Sequence, residues 1–176
     1  MEADQSAAKN RFRFKTFSEQ IAEIQIDVFH KVCKDESLPA TARRSYFLTT
    51  LTKWKDLNCS QEFCRFSFDV NGLVHDLSQI VFHQNKIADI LCKHLEVTNS
   101  QCLDALLDLV AQFARDLQRD FYPYFAKIFE IIVKLLDTQD AEIIEHSFRC
   151  IAHVFKYSWR YMLDEFKEIF RYLRHF

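Results

Sequence analysis

Glycine occurs once in these 176 residues, at Gly72, and proline twice, at Pro39 and Pro123. Tight turns between strands draw on residues with positive φ, and glycine is their usual supply. A chain with one glycine lacks the material for the hairpins of a sheet protein. Nor can it write a phosphate-cradling G-x-x-x-x-G-K loop or a G-x-G-x-x-G dinucleotide fingerprint. Helix remains, and the composition supplies its core: 49% of residues are hydrophobic, with Phe occurring 18 times. Each fully buried Phe contributes on the order of 2–3 kcal/mol.

No apolar run approaches the ~20 residues of a membrane-spanning helix. No apolar segment of a secretory signal opens the chain. Six cysteines, Cys33, Cys59, Cys64, Cys92, Cys102 and Cys150, form no C-x-x-C pair. They read as reduced, mostly buried thiols of an intracellular protein. Residues 61–158 hold nine Lys/Arg against fourteen Asp/Glu, which argues against a nucleic-acid stripe in that part.

Residues 9–17 alternate Lys9, Arg11, Arg13 and Lys15 with Phe12, Phe14 and Phe17. Cations interleaved with rings can contact phosphates and stack bases, so Arg11, Arg13 and Lys15 are the candidate RNA contacts. The plainer reading is a leader folding its Phe residues back onto the first helices. Thr16 with Glu19 makes a capping box, opening a helix through Ile21, Ile24 and Val28. Residues 35–42 form a linker, with Pro39 in the first turn of a second helix whose stripe is Tyr46, Phe47, Leu51, Trp54 and Leu57.

Ser60 caps a third helix bearing Phe63, Phe66, Val70 and Leu73, and residues 75–79 interrupt it. Ile80, Ile87, Ile90, Leu91 and Leu95 mark a fourth. Ser100 caps a fifth, with Leu103, Leu106, Leu107, Val110, Phe113, Ala114 and Leu117 on one face. Asp104, Asp108, Gln112 and Arg115 lie away from that face. Asp120 is the expected cap of the next helix, with Pro123 in its first turn and Phe125, Ile128, Phe129, Ile132 and Leu136 following. Ile144, Phe148, Ile151 and Phe155 stripe the seventh helix, and Met162, Phe166, Ile169, Phe170 and Leu173 the eighth.

Residues 103–135 overlay 144–176 at an offset of 41. Leu107 falls on Phe148, Ala111 on Ala152 and Phe113 on Val154. The shared alanine predicts a close helix crossing. A two-helix unit recurring every ~40 residues is the period of HEAT arrays. The expected architecture is all-α, a HEAT/armadillo-like solenoid of about four antiparallel helix pairs. It divides into a basic and aromatic arm (1–17), atypical N-terminal repeats (18–98) and two HEAT-like repeats (99–176). The last helix ends apolar, without a cap, which predicts a longer array continuing beyond it.

Chemistry finds little purchase. His146, Cys150 and His153 share a helix face, but the outer two stand about 10 Å apart along the axis, too far for one zinc ion, so ordinary packing is the expectation. Cys92 and His94 point to different faces, and Cys59 with Cys64 lacks a second pair. No G-x-S-x-G or H-E-x-x-H is present. The carboxylates Asp104, Asp108, Asp116 and Asp120 read as solvated helix faces or ends. The expectation is no enzyme, no metal, no cofactor and no small-molecule substrate.

Two stretches carry a family likeness, "VFHQNKIADILCKHLEV" (81–97) and residues 106–162, with "LLDLV", "ARDLQ", "DFYP", "TQD" and "FKYSWR" in order. "TLTKWKDLN" extends it toward the N-terminus. The chain resembles the N-terminal region of the small-subunit processome component 20 family, also called down-regulated in metastasis. The resemblance implies a nucleolar scaffold in small-subunit ribosomal RNA processing and ribosome biogenesis. It implies ribosome-assembly proteins and pre-ribosomal RNA as partners, no membrane, and a much longer parent chain. The alternative is a generic protein–protein adapter, in transport or trafficking, without RNA contact.

Overall fold

The computed structural model describes residues 45–97 and 99–161. The basic arm with Arg11, Arg13 and Lys15, the helix opened by Thr16, the linker with Pro39, and residues 162–176 lie outside the described residues.

Among the described residues there is no strand, and seven α-helices run in order. They are α1 (Tyr46–Leu57), α2 (Gln61–Asn71), α3 (Leu77–Phe82), α4 (Gln84–Leu95), α5 (Leu103–Leu117), α6 (Tyr122–Leu135) and α7 (Ala141–Ser158). A 3₁₀ turn, Gln118–Phe121, joins α5 to α6, and another, Trp159–Tyr161, follows α7. No described helix is long and apolar enough to cross a membrane.

Side-chain oxygens fix several starts, because the first amides of a helix have no partner within it. Ser45 accepts from the Leu48 amide, Ser60 from Phe63, Asp76 from Gln79, and Asp140 from Glu142 and Ile143. Two expected caps fall elsewhere. Ser100 lies two residues before the cap position, which Cys102 occupies, and its hydroxyl accepts from the Cys102 amide instead. Asp120 sits inside the 3₁₀ turn, so Phe121 takes the cap position of α6, with Pro123 in the first turn. The second sequence helix begins at Tyr46, past Pro39. The break read at 75–79 is shorter than expected, since Asp76 starts α3, and the helix expected through Ile80–Leu95 is divided at His83.

The helices stack in two layers. α1, α5 and α7 pack side by side in one, and α2, α4 and α6 in the other, with α4 against α5 and α6 against α7 joining them. This is the layout of a helical-repeat array, in which each hairpin covers the apolar face left by its neighbour. The most extensive packing is between α5 and α7, where Cys150 reaches the Ala111 backbone. The overlay at offset 41 pairs two buried alanines, Ala111 and Ala152. It fails at Phe148, which is 51% exposed where Leu107 is buried. Ser147, Cys150, Ile151, Val154, Tyr157 and Ser158 form the inward face of α7 instead. Leu57, expected in the stripe of α1, is 62% exposed at the helix end.

α5 is the centre. Leu103, Leu106, Leu107, Val110, Phe113, Ala114 and Leu117 are all buried, as the periodicity predicts, and so are Ala105, Leu109 and Ala111. The Phe113 ring lies 5.6 Å from Phe47, 6.0 Å from Phe121 and 6.3 Å from Tyr124. Those contacts tie α1, the 3₁₀ turn and α6 to one side chain. On the outer layer Asp69 meets Lys93 at 3.2 Å and His94 at 3.1 Å, and Asp89 meets Lys127 at 3.0 Å. The two lysine pairs are exposed and contribute about 0–1 kcal/mol each, so burial does most to hold the layers.

The single glycine has no conformational task here. Gly72 ends α2 in right-handed backbone, with open space where a side chain would go. The one described residue with positive φ is Gln118, at 49°. A non-glycine residue there carries strain of order 1–3 kcal/mol. Buried Leu117 on one side and buried Phe121 on the other hold it in place.

Candidate interaction cleft

The polar residues of α5 form a stripe at Asp104, Asp108, Gln112 and Arg115–Asp116, spaced three to four residues apart, the interval of one helical face. This stripe does not face open water. It runs between α1 and α7, and every one of these side chains is half-buried. The solvated face expected of Asp104, Asp108 and Asp116 is thus corrected, because α1 and α7 flank α5 on both sides of the stripe.

Asp116 is the most committed of them. Its Oδ2 accepts from the Ser45 hydroxyl at 2.6 Å and the Phe47 amide at 2.9 Å, and its Oδ1 from the Tyr46 amide at 3.0 Å. Ser45 Oγ in turn accepts from the Leu48 amide at 2.9 Å. The first three amides of α1 are thereby satisfied, two of them by a carboxylate some 70 positions along the chain. Negative charge at a helix N-terminus also meets the positive end of its dipole. Burial pushes the Asp116 carboxyl above the usual carboxylate range, and these three hydrogen bonds pull against that. Beside it, the Arg115 guanidinium lies 3.5 Å over the Tyr46 ring and 5.8 Å from the Tyr157 ring. Two consecutive residues at the end of α5 thus clamp α1 and reach α7.

Two and three turns back, the same stripe opens into a cleft of ≈ 260 Å³, lined by Lys53 and Trp54 of α1, Asp104 and Asp108 of α5, and His146, Arg149, Cys150 and His153 of α7. Asp108 sits at its wall, accepting from Trp54 Nε1 at 3.0 Å and Gln112 Nε2 at 3.2 Å. The Cys150 thiol reaches the Ala111 backbone, and burial pushes its pKa strongly up, so it stays a neutral thiol. His146, Cys150 and His153 do share this cleft, but among the described residues no three His, Cys, Asp or Glu side chains gather closely enough to hold a metal ion. Cys92 is buried while His94 pairs with Asp69, as their different faces predict. Three of the five described cysteines are buried, and Cys59 and Cys64 are exposed.

His153 makes the cleft pH-sensitive. Burial holds its pKa below the ordinary 6.5, with Lys156, Arg149 and Arg115 pushing the same way and Asp108 opposing. The unfolded chain then binds the proton first as pH falls. Stability is therefore full above about pH 6.5 and declines as pH drops from there toward the lower folded value. Urea midpoints measured from pH 7.5 to 5.5 are expected to fall, and His153→Gln is expected to flatten that decline.

Within this cleft Asp108 is occupied by two hydrogen bonds, and burial keeps the Cys150 thiol protonated. The Asp116 clamp was missed by sequence reasoning because its partners are 69 to 71 positions away. The polar stripe itself is visible at helical spacing; what covers it is not.

The described chain is thus a two-layered segment of a helical-repeat protein, with a polar seam along its first-helix layer. No family model matches it. It is 36% identical over 155 residues to U3 small nucleolar RNA-associated protein 20 of Schizosaccharomyces pombe, and 28% identical over 162 residues to the protein of that name in Saccharomyces cerevisiae. Those matches cover 88% and 90% of this chain but 6% of each relative. The chain belongs, as a partial match, to the U3 small nucleolar RNA-associated protein 20 family, the family whose likeness its motifs carry.

Proposed function

We propose that this chain acts in ribosome biogenesis as a non-catalytic scaffold segment of the small-subunit processome, in the nucleolus, where small-subunit ribosomal RNA is processed. The observation that carries this reading is the 36% identity, across 88% of the chain, to a protein named for association with the U3 small nucleolar RNA. The stacked layers support it physically, since an array with one continuous core offers a long, stiff surface on which partner segments can be ordered. Its partners on this reading are other assembly proteins of the processome and pre-ribosomal RNA, with Arg11, Arg13 and Lys15 as the RNA contacts.

Affinity capture of the tagged chain, with and without nuclease, tests the proposal. The expected result is co-purification of U3 small nucleolar RNA and processome proteins, and nucleolar signal for a fluorescent fusion. Neutralising Arg11, Arg13 and Lys15 to Gln is expected to cut RNA recovery severalfold while protein partners persist. Exclusion from the nucleolus with no U3 RNA recovered would sink it, and would favour the adapter alternative if protein partners remain.

A further inference from the structure

We propose that Cys59 and Cys64 form a dithiol that closes reversibly to an intramolecular disulfide across the start of α2. The two cysteines flank the Ser60 cap. Cys59 immediately precedes it and Cys64 is the fourth helical residue. These are the two positions whose side chains pack together in a hydrophobic staple, the chain doubling back over the first turn through an extended cap residue. Ser60 has that backbone, φ −63° and ψ 151°, and its hydroxyl accepts from the Phe63 amide at 3.3 Å. Both cysteines are free and exposed, and both line one surface groove with Phe63 and Phe68.

The turn that carries Cys59 is already fixed. Asn58 Oδ1 accepts from the Ser60 amide at 3.0 Å, and Asn58 Nδ2 donates to the Gln101 carbonyl at 3.1 Å. Cys64 is held by its own helix, its amide donating to the Ser60 carbonyl at 3.0 Å. With both backbones anchored at the two staple positions and both side chains exposed in one groove, each thiol meets the other at a raised effective concentration. The other described cysteines have no such access, being buried.

The co-reactant is a hydroperoxide. One thiolate attacks its terminal oxygen, giving a sulfenic acid and releasing an alcohol or water. The second thiolate then attacks the sulfenic sulfur, forming the S–S bond and releasing water. Two thiols lose two electrons and two protons, and one peroxide bond is reduced. A dithiol reductant reverses the closure by exchange.

The two cysteines fall in one tryptic peptide, 56–65, between Lys55 and Arg65. After brief treatment of the folded chain with hydrogen peroxide, alkylation and digestion, this peptide is expected to appear mainly with two hydrogens lost and neither cysteine alkylated. Dithiothreitol is expected to restore the doubly alkylated form. Cys64→Ser is expected to abolish the internal bridge and leave Cys59 as sulfenic acid. Dominant sulfinic or sulfonic acid on the wild-type peptide, or cross-links from it to another chain or another peptide, would overturn the proposal. So would a peptide that stays doubly alkylated while Met or other Cys residues oxidise.

Discussion

Phe113→Ala is expected to lower the stability of this chain by about 3–5 kcal/mol, the range for truncating a large buried aromatic. The ring is fully buried and touches Phe47, Phe121 and Tyr124, which belong to α1, the 3₁₀ turn and α6. Those elements cannot collapse into the gap together, because Phe121 is pinned by the positive-φ turn at Gln118 and Phe47 by the capped start of α1. The cost therefore lies toward the upper end. Urea unfolding followed by circular dichroism measures it as a lower midpoint. Phe113→Leu, which keeps most of the volume, is expected to recover more than half of the loss. A cost below about 1 kcal/mol for the alanine variant would mean that Phe113 is not the hub of the core.

Asp116→Ala is expected to cost about 2–4 kcal/mol. It strands the Tyr46 and Phe47 amides, part-buried donors whose loss of a partner costs about 1–3 kcal/mol each, and it frees the Ser45 hydroxyl from its acceptor. Asp116→Asn keeps the size but presents one acceptor where two are used, so an intermediate loss is expected. Asp104→Ala serves as the control, since among the described residues its side chain bonds the adjacent Ala105 amide, at 2.7 Å, and no distant element, and a change within about 0.5 kcal/mol is expected. Hydrogen exchange gives a second readout. The amides of Tyr46 and Phe47 are expected to lose protection in Asp116→Ala while the α6 amides keep theirs. Equal loss throughout, with an unchanged urea midpoint, would refute a specific clamp.

Helix content was legible because burial on a helix leaves a periodic mark. The apolar positions of α5 and α6 were read correctly almost residue by residue, since both are covered on wide faces. α7 was harder. Its apolar residues are spread around the helix, and which side turns inward depends on how it packs against α5 and α6, not on hydrophobicity alone. Phe148 was misplaced for that reason. Caps that bond three residues ahead, such as Ser60 and Phe63, were visible; a cap supplied from 70 positions away was not. At Ser100 and Asp120 a cap-forming residue was present but the helix began elsewhere.

By itself the sequence determined that this chain is helical and that its motifs are those of one family. One glycine and evenly spaced Phe, Leu and Ile leave few other solutions, because local periodicity and turn chemistry are short-range properties. Tertiary structure alone decided that Asp116 secures α1 and that the polar stripe of α5 is half-buried between α1 and α7. The physical reason is range: a hydrogen bond or a buried face is defined by its partner, and here the partners are brought together only when separate hairpins stack.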